Sequence, residues 1–265
     1  MAFVKDRRRP TGPPVSVIPP SVTDKKESQP LLSKTTGSIQ RAEGRGLKQL
    51  RPVFTKVGTT PLANGSAYGE MGNTKCVAVV HGPREYKGDY SEDAVLNCEF
   101  RYDSVSQPTL RANDKSAQEN EYSIMLANAL SNCIQREAYP KSVIDIVVTI
   151  LDDDGGAFAV ALTTASLALA HAGLQMYDLA ASVSVAVVGQ CVITDPTDEE
   201  LAQSNGHVTV GYLPQLNEIC SIVQEGQLSP QVSSGAIEQC IDSCAQMYFV
   251  IQETLKNHNE AEAEQ

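Results

Sequence analysis

Residues 150 to 164, ILDDDGGAFAVALTT, constrain the fold more than any other stretch. From Ala157 to Leu169 the run AFAVALTTASLAL carries no charged side chain. A helix made of it offers no face suited to water, so it has to be buried. The preceding run VIDIVVTIL is apolar and β-branched, as a buried strand is. Gly155 and Gly156 supply the turn between the two, and Gly173 stops the helix. The acids Asp152, Asp153 and Asp154 at that turn are open to two readings. They are either an active site or the polar end of a strand, with Asp154 capping the helix and the other two exposed.

The rest of the chain alternates in the same way. RPVFTKVG, SAYGEMG and TKCVAVVHG read as strands, the last two joined at Gly72-Asn73 as a hairpin, and AVLNCEFRYD follows as another. Tyr122, Met125, Leu126, Ala129, Leu130, Cys133 and Ile134 recur at three- and four-residue steps, which predicts an amphipathic helix. After the buried helix come the strands ASVSVAVVG, CVITDP, HVTVGYL and EICSIVQEG, with a turn at Gly189-Gln190. SPQVSSGAIEQCIDSCAQMYFVIQETLKNH closes the chain as a long helix on Ile237, Ile241, Cys244, Tyr248, Ile251 and Leu255. Strands followed by a helix occur twice, which predicts an α+β domain of two similar halves.

The formal net charge of −11 conceals an asymmetry. Residues 1 to 51 hold eleven Lys or Arg against four Asp or Glu, and the remainder holds ten against 28. A basic tail on an acidic body is not a general nucleic-acid-binding surface, so any RNA contact has to be local. Residues 1 to 47, rich in Pro, Ser, Thr and charge, are expected to be disordered. HNEAEAEQ from residue 258 is expected to be a solvated acidic tail, which leaves residues 48 to 257 as the folded part. Seven scattered cysteines without a CxxC pair predict reduced core thiols in a cytosolic or nuclear protein. No apolar run reaches the roughly 18 residues of a membrane span, and the charged, proline-rich start lacks a secretory signal.

The residues from Arg51 to Glu85 resemble the ribonuclease PH family. RPVF, GSAYGEMGNTK and the strand ending HGPRE stand in the order of the family's opening strands, and DGG before an alanine-rich helix is its next landmark. Gln175-Met176-Tyr177-Asp178-Leu179, together with TDPTDEE, looks most like the wording of a eukaryotic exosome ring subunit. The resemblance covers residues 48 to 257. It implies the ribonuclease PH-like fold, two βαβ-like halves of the ribosomal protein S5 domain 2-like kind. It implies a place in a six-membered ring of related subunits, whose enzymes degrade RNA from its 3′ end with inorganic phosphate as nucleophile. The implied partners are the other ring subunits, chiefly ribosomal RNA-processing protein 42, a cap subunit with an S1-type domain, an associated exoribonuclease, and RNA. The implied location is nucleus, nucleolus and cytoplasm.

Phosphorolysis sets a phosphate dianion against a phosphodiester, so it needs cationic and backbone donors for both anions and an acid or metal at the leaving oxygen. By resemblance, active relatives follow the DGG turn with Thr and Arg, at a helix N-terminus that already favours an anion. Here Ala157 and Phe158 stand at those places. A second phosphate-holding arginine belongs on the preceding helix, yet no Arg or Lys occurs between Lys115 and Arg136. The catalytic aspartates of relatives, about six residues apart, are expected at the positions of Ala202 and Val208. Each charge-assisted phosphate contact is worth roughly 1.5 to 3 kcal/mol, and loss of one preorganised donor costs about 10² to 10³ in rate. A phosphate site degenerate at Ala157, Phe158, Ala202 and Val208 leaves no catalyst, and no cofactor or metal is expected.

The loop GPREYKGDYSED, from Gly82 to Asp93, offers Arg84 and Lys87 as RNA-contact candidates, because in relatives it lies near the ring's channel. Arg101 and Arg111 are weaker candidates. TDPTDEE reads as a solvated loop that starts a short helical turn rather than as a metal site. His81, His171, His207 and His258 have no catalytic partner at a recognisable spacing, and His171 reads as a packing residue. The chain is therefore read as a non-catalytic, structural and RNA-guiding ring subunit. The alternatives are an active phosphate-dependent 3′–5′ exoribonuclease with a shifted site, and a free RNA-binding protein acting through its basic tail.

Overall fold

A computed structural model describes residues 33–35, 38–41, 44–88, 90–103, 117–189 and 191–263. Ser33–Thr35 (β1) and Ser38–Gln40 (β2) pair as a short antiparallel ladder. The first main sheet is built from Val53–Val57 (β3), Gly65–Met71 (β4), Thr74–Glu85 (β5), Val95–Tyr102 (β6) and Ser142–Asp152 (β7), in the spatial order β3-β4-β5-β7-β6. Its pairs are antiparallel except β6 with β7, which are parallel. A parallel pair needs a long crossover, and the helix Ala117–Ser131 (α1) lies within it.

The uncharged run forms the helix Ala157–His171 (α2), and every residue from Ala157 to Leu169 is buried. The second sheet follows: Ala181–Val188 (β8), Cys191–Thr194 (β9), the short helix Asp198–Ala202 (α3), Gly206–Leu213 (β10) and Glu218–Gly226 (β11), with strand order β11-β10-β8-β9 and all pairs antiparallel. The helix Pro230–Ala263 (α4) packs back over β8, β9, β10 and β3. Helix α2 lies between the two sheets, against β4, β5 and β7 on one side and β8 and β10 on the other.

That position requires unusually close approach. A Cβ on Gly65 would stand 2.3 Å from the Ala168 carbonyl oxygen, and one on Gly69 would stand 2.2 Å from Thr164 Oγ1. Glycine on β4 therefore sets how near the helix comes to the sheet. The main core gathers around α2, with Phe100, Ile146, Ile150, Leu162 and Leu169 fully buried. A second cluster, Val185, Val187, Val208, Val210, Ala236 and Cys240, fills the space between the second sheet and α4. All seven cysteines are free, and burial pushes the thiols of Cys76, Cys98 and Cys240 up to about 12.

Four sequence expectations change. Residues 1–32 lie outside the described residues, but the folded part begins before residue 48. Arg41 is buried and donates from Nε and Nη2 to the two carboxylate oxygens of Glu200 at 2.8 and 2.7 Å, and from Nη1 to the Thr194 carbonyl at 2.9 Å. At the other end α4 continues through the expected tail as far as Ala263. The TDPTDEE stretch does start a helix, with Thr197 and Glu200 forming a capping box, but Asp195 and Glu200 are buried rather than solvated. Both acids are buried because each faces an arginine, which makes the desolvation tolerable. The loop read from Gly82 to Asp93 also starts later, because GPRE belongs to the strand ending HGPRE: after a register shift past His81, Arg84 and Glu85 pair with Val143 and Ser142 of β7.

Candidate functional site

A cleft of about 200 Å³ opens at the N-terminus of α2, between the two sheets. Gly155, Gly156, Ala157 and Phe158 form one side, and α1 contributes Gln118 and Tyr122. Tyr102 comes from the end of β6, Ser184 from β8, Asp198 and Leu201 from α3, His207 and Thr209 from β10, and Val223 and Glu225 from β11. The turn itself is fixed by packing. Gly155 has φ 86°, and a Cβ there would stand 2.8 Å from the Pro196 carbonyl oxygen, so only glycine fits. Gly156, the residue before the helix, has φ 73° and caps it without a side chain.

Asp154 is thus not the cap expected from the sequence. Its Oδ2 accepts from Asn73 Nδ2 at 3.0 Å and lies 3.9 Å from Arg51 Nη1. Asp152 is exposed beside Lys75, at 3.8 Å. Asp153, expected to be exposed, is half-buried and lines the cleft, where it accepts from the Gly155 N–H at 3.1 Å. Burial raises its pKa, with the charge of Asp198 adding to the rise.

Behind the turn lies a guanidinium whose donors are taken up by the protein itself. Arg51 Nε and Nη2 bind the two oxygens of Asp195 at 2.9 and 2.6 Å, while Nη1 donates to the Asp154 carbonyl at 2.8 Å and Nη2 to that of Gly155 at 3.0 Å. A further contact from Nη1 to Thr74 Oγ1, at 3.5 Å, takes up its fifth N–H. The arginine is spent on holding the two halves and the turn together.

The wall that would face an anion is hydrocarbon and acid. Ala157 and Phe158 occupy the first turn of α2, and the Phe158 ring lies 5.5 Å from that of Tyr122, which in turn packs edge-on against Phe100 at 5.3 Å. Among the described residues no Lys or Arg lines the cleft, whereas Asp153, Asp198 and Glu225 do. Ala202 and Val208 do not stand where the sequence comparison put them. Ala202 is exposed at the end of α3, and Val208 points the other way, into the cluster under α4. The residues one step earlier, Leu201 and His207, line the cleft and keep the six-residue spacing. His207 Nε2 lies 3.8 Å from Glu225. The signal for this correction was present in GHVTVGYL: Val208 and Val210 share the core face, so His207 and Thr209 must share the opposite one. Ser184 and the buried partners of Arg41 and Arg51 had no such signal, because their contacts join residues far apart in the chain. Among the described residues, no group of three or more His, Cys, Asp or Glu is close enough to hold a metal ion.

The RNA-contact candidates are dispersed. Arg84 is exposed and ion-paired with Asp145, and Lys87 is exposed just beyond β5. Arg101 is paired with Glu99 at 2.6 Å. It stands beside Thr149 of β7, whereas Arg84 stands beside Val143, so six residues of strand, about 20 Å, separate them. Arg111 lies outside the described residues.

The comparisons with known proteins agree with this geometry. Residues 49–175 match domain 1 of the 3′ exoribonuclease family, RNase PH, and residues 178–244 match its domain 2. The chain is 34% identical over 237 residues to "Exosome complex component RRP41-like" of Arabidopsis thaliana, covering 89% of this chain and 91% of that one. It is 31% identical over 259 residues to "Exosome complex component mtr3" of Schizosaccharomyces pombe, covering 95% and 96%. That likeness agrees with the wording at residues 175–179 and 194–200, which points to mRNA transport regulator 3. The crystal structure of rice (Oryza sativa) Rrp46 superposes with a TM-score of 0.73 at 23% identity, over 81% of this chain and all of that one. The fold, the turn before α2 and both domain matches lead to one assignment: the chain belongs to the 3′ exoribonuclease family, that of ribonuclease PH.

Proposed function

We propose that this chain is a non-catalytic ring subunit of the RNA exosome core, one that supports ring assembly and guides RNA to an associated 3′–5′ exoribonuclease for RNA processing and decay. The observation that carries the reading is the cleft at the α2 N-terminus. Among the described residues it holds three carboxylates and no Lys or Arg, and Leu201 and His207 stand at the two positions six residues apart. A phosphate dianion placed there meets like charge in place of donors, and no carboxylate pair at those positions supports the leaving oxygen.

The surface supports a role in assembly. β3 and β11 are sheet edges, and Phe54, Ile219 and Ile222 on them are exposed, as is Phe249 on α4. Apolar edge strands are covered in stable proteins, and neighbouring subunits would cover these. The neighbours in this reading are other RNase PH-like ring subunits, chiefly ribosomal RNA-processing protein 42, with an S1-domain cap subunit, in nucleus, nucleolus and cytoplasm.

The test is a reconstituted ring in which the site of every other RNase PH-like subunit has been substituted, incubated with labelled RNA and inorganic phosphate. No nucleoside diphosphate should be released. Phosphate-dependent release from that ring would establish the enzymatic alternative instead.

A further inference from the structure

The cleft has kept its place in the fold and reversed its charge. We propose that it binds an organic cation, specifically a guanidinium group, presented either by a small molecule or by an arginine side chain of a neighbouring subunit.

Three observations converge on that chemistry. First, Asp153, Asp198 and Glu225 enter the cleft from three separate segments, and among the described residues that line it there is no Lys or Arg, His207 beside Glu225 being the one basic side chain. The N-terminal end of α2 contributes about half a positive charge, which leaves the site negative. Burial and the neighbouring charge of Asp198 hold the Asp153 carboxyl above its ordinary range, and a bound cation would relieve that strain. Second, part of the wall is aromatic: Tyr122 and Phe158 both line the cleft, packed on each other at 5.5 Å with their planes tilted by 44°, and a ring face turned to the cleft attracts a cation. The carboxylates do not close on a point as metal ligands do. They surround a space of about 200 Å³, which suits a flat multi-donor group rather than an ion. Third, the Ser184 hydroxyl on the cleft wall is buried without a hydrogen-bond partner, although the residue is only 3% exposed. It packs against Gly156, where a Cβ would come within 2.9 Å of it and 3.5 Å of Arg51 Nη2. An N–H donor reaching this end of the cleft would satisfy it.

The inference is independent of the ring role, since a cation site is compatible with any assembly state. The experiment is an agmatine titration of the full chain, alone and in the assembled ring, followed by calorimetry, with inorganic phosphate as the competing probe. One saturable site is expected on the chain alone, tightening as pH rises through the carboxylate range. The Asp198→Asn, Glu225→Gln double variant, changed at two exposed positions, should weaken binding about tenfold, and Tyr122→Leu about threefold to tenfold. Ser184→Ala checks the hydroxyl and should weaken binding without lowering the thermal midpoint. Binding both to the chain and to the ring assigns the site to a free small cation. Binding to the chain that the ring excludes assigns it to a neighbour's arginine. Absence of saturable agmatine binding to the chain, affinity unchanged in the double variant, or phosphate bound at the same site would each overturn the proposal.

Discussion

Arg51 and Asp195 form a two-pronged ion pair that is buried on both sides, joining the residue that leads into β3 to the loop that leaves β9. The Arg51 backbone N–H also donates to Asp195 Oδ2 at 2.9 Å. Asp195 itself adopts φ 51°, a left-handed conformation uncommon for a residue with a side chain. The strain is tolerated because that backbone delivers both carboxylate oxygens to the arginine.

Breaking this pair from one side leaves an uncompensated charge in the interior. Arg51→Ala or Asp195→Ala should destabilise by about 3 to 5 kcal/mol, read as a fall in the urea midpoint. The double variant Arg51→Met, Asp195→Leu should lose less than the sum of the two single changes. Simple additivity in that cycle would mean that the pair is not coupled.

Arg41 and Glu200 make a second buried pair whose contribution depends on pH. Burial alone would raise the Glu200 pKa, but the Arg41 hydrogen bonds, the Thr197 N–H and the nearby arginines outweigh it, and the net shift is downward. A carboxyl depressed in the folded state stabilises fully above its unfolded pKa of about 4.3, and that stability is lost as pH falls through the lower folded value. Arg41→Ala should therefore flatten the acid limb of the stability profile. Removal of residues 1–40 should leave the limb in place, which a pH series of thermal midpoints would show.

Asp153 has the opposite sign. Its folded pKa is raised, so its contribution is favourable at low pH and is lost as pH rises from the unfolded value through the folded one. Asp153→Asn keeps an oxygen for the Gly155 N–H and should be more stable than the parent at pH 7, with the difference vanishing near pH 3. A lower midpoint at pH 7 would show that the carboxylate is structurally required.

The approach of α2 to β4 is tight enough to be tested by volume. Gly69→Ala should cost about 1 to 3 kcal/mol, because the added methyl meets Thr164 Oγ1. Thr164→Ala should recover part of that loss when the two changes are combined. A double variant no better than the sum would place the strain elsewhere.

For RNA, the paired reversal Arg84→Glu, Lys87→Glu should weaken cross-linking through an assembled ring and reduce the salt dependence of binding. Arg101→Glu, about 20 Å away along the sheet, should have less effect. Equal effects from both would mean a diffuse electrostatic field instead of a local contact.

Much of the fold was legible because its signals are local. The uncharged run from 157 to 169 had one physical solution, and the alternation in β7 and the three- and four-residue steps of α1 fixed both type and face. What escaped was long-range. Asp195, Asp198, Glu199 and Glu200 look alike in the string TDPTDEE, yet two are buried against arginines some 150 residues earlier and two face water. The site was displaced by one residue on β10, and on a strand one residue exchanges the core for the cleft. His207 and Val208 show how completely the meaning changes with that step.

Helix α2 has almost no surface of its own, since sheets press on it from both sides along thirteen buried positions. Enlargement at almost any of those positions would wedge two walls apart at once. Its first turn is different: there Phe158 borders open space, and a side chain can alter its character while the masonry around it stays put. A lineage inheriting such a frame can exchange one trade for another at the doorway and still hand down the same house.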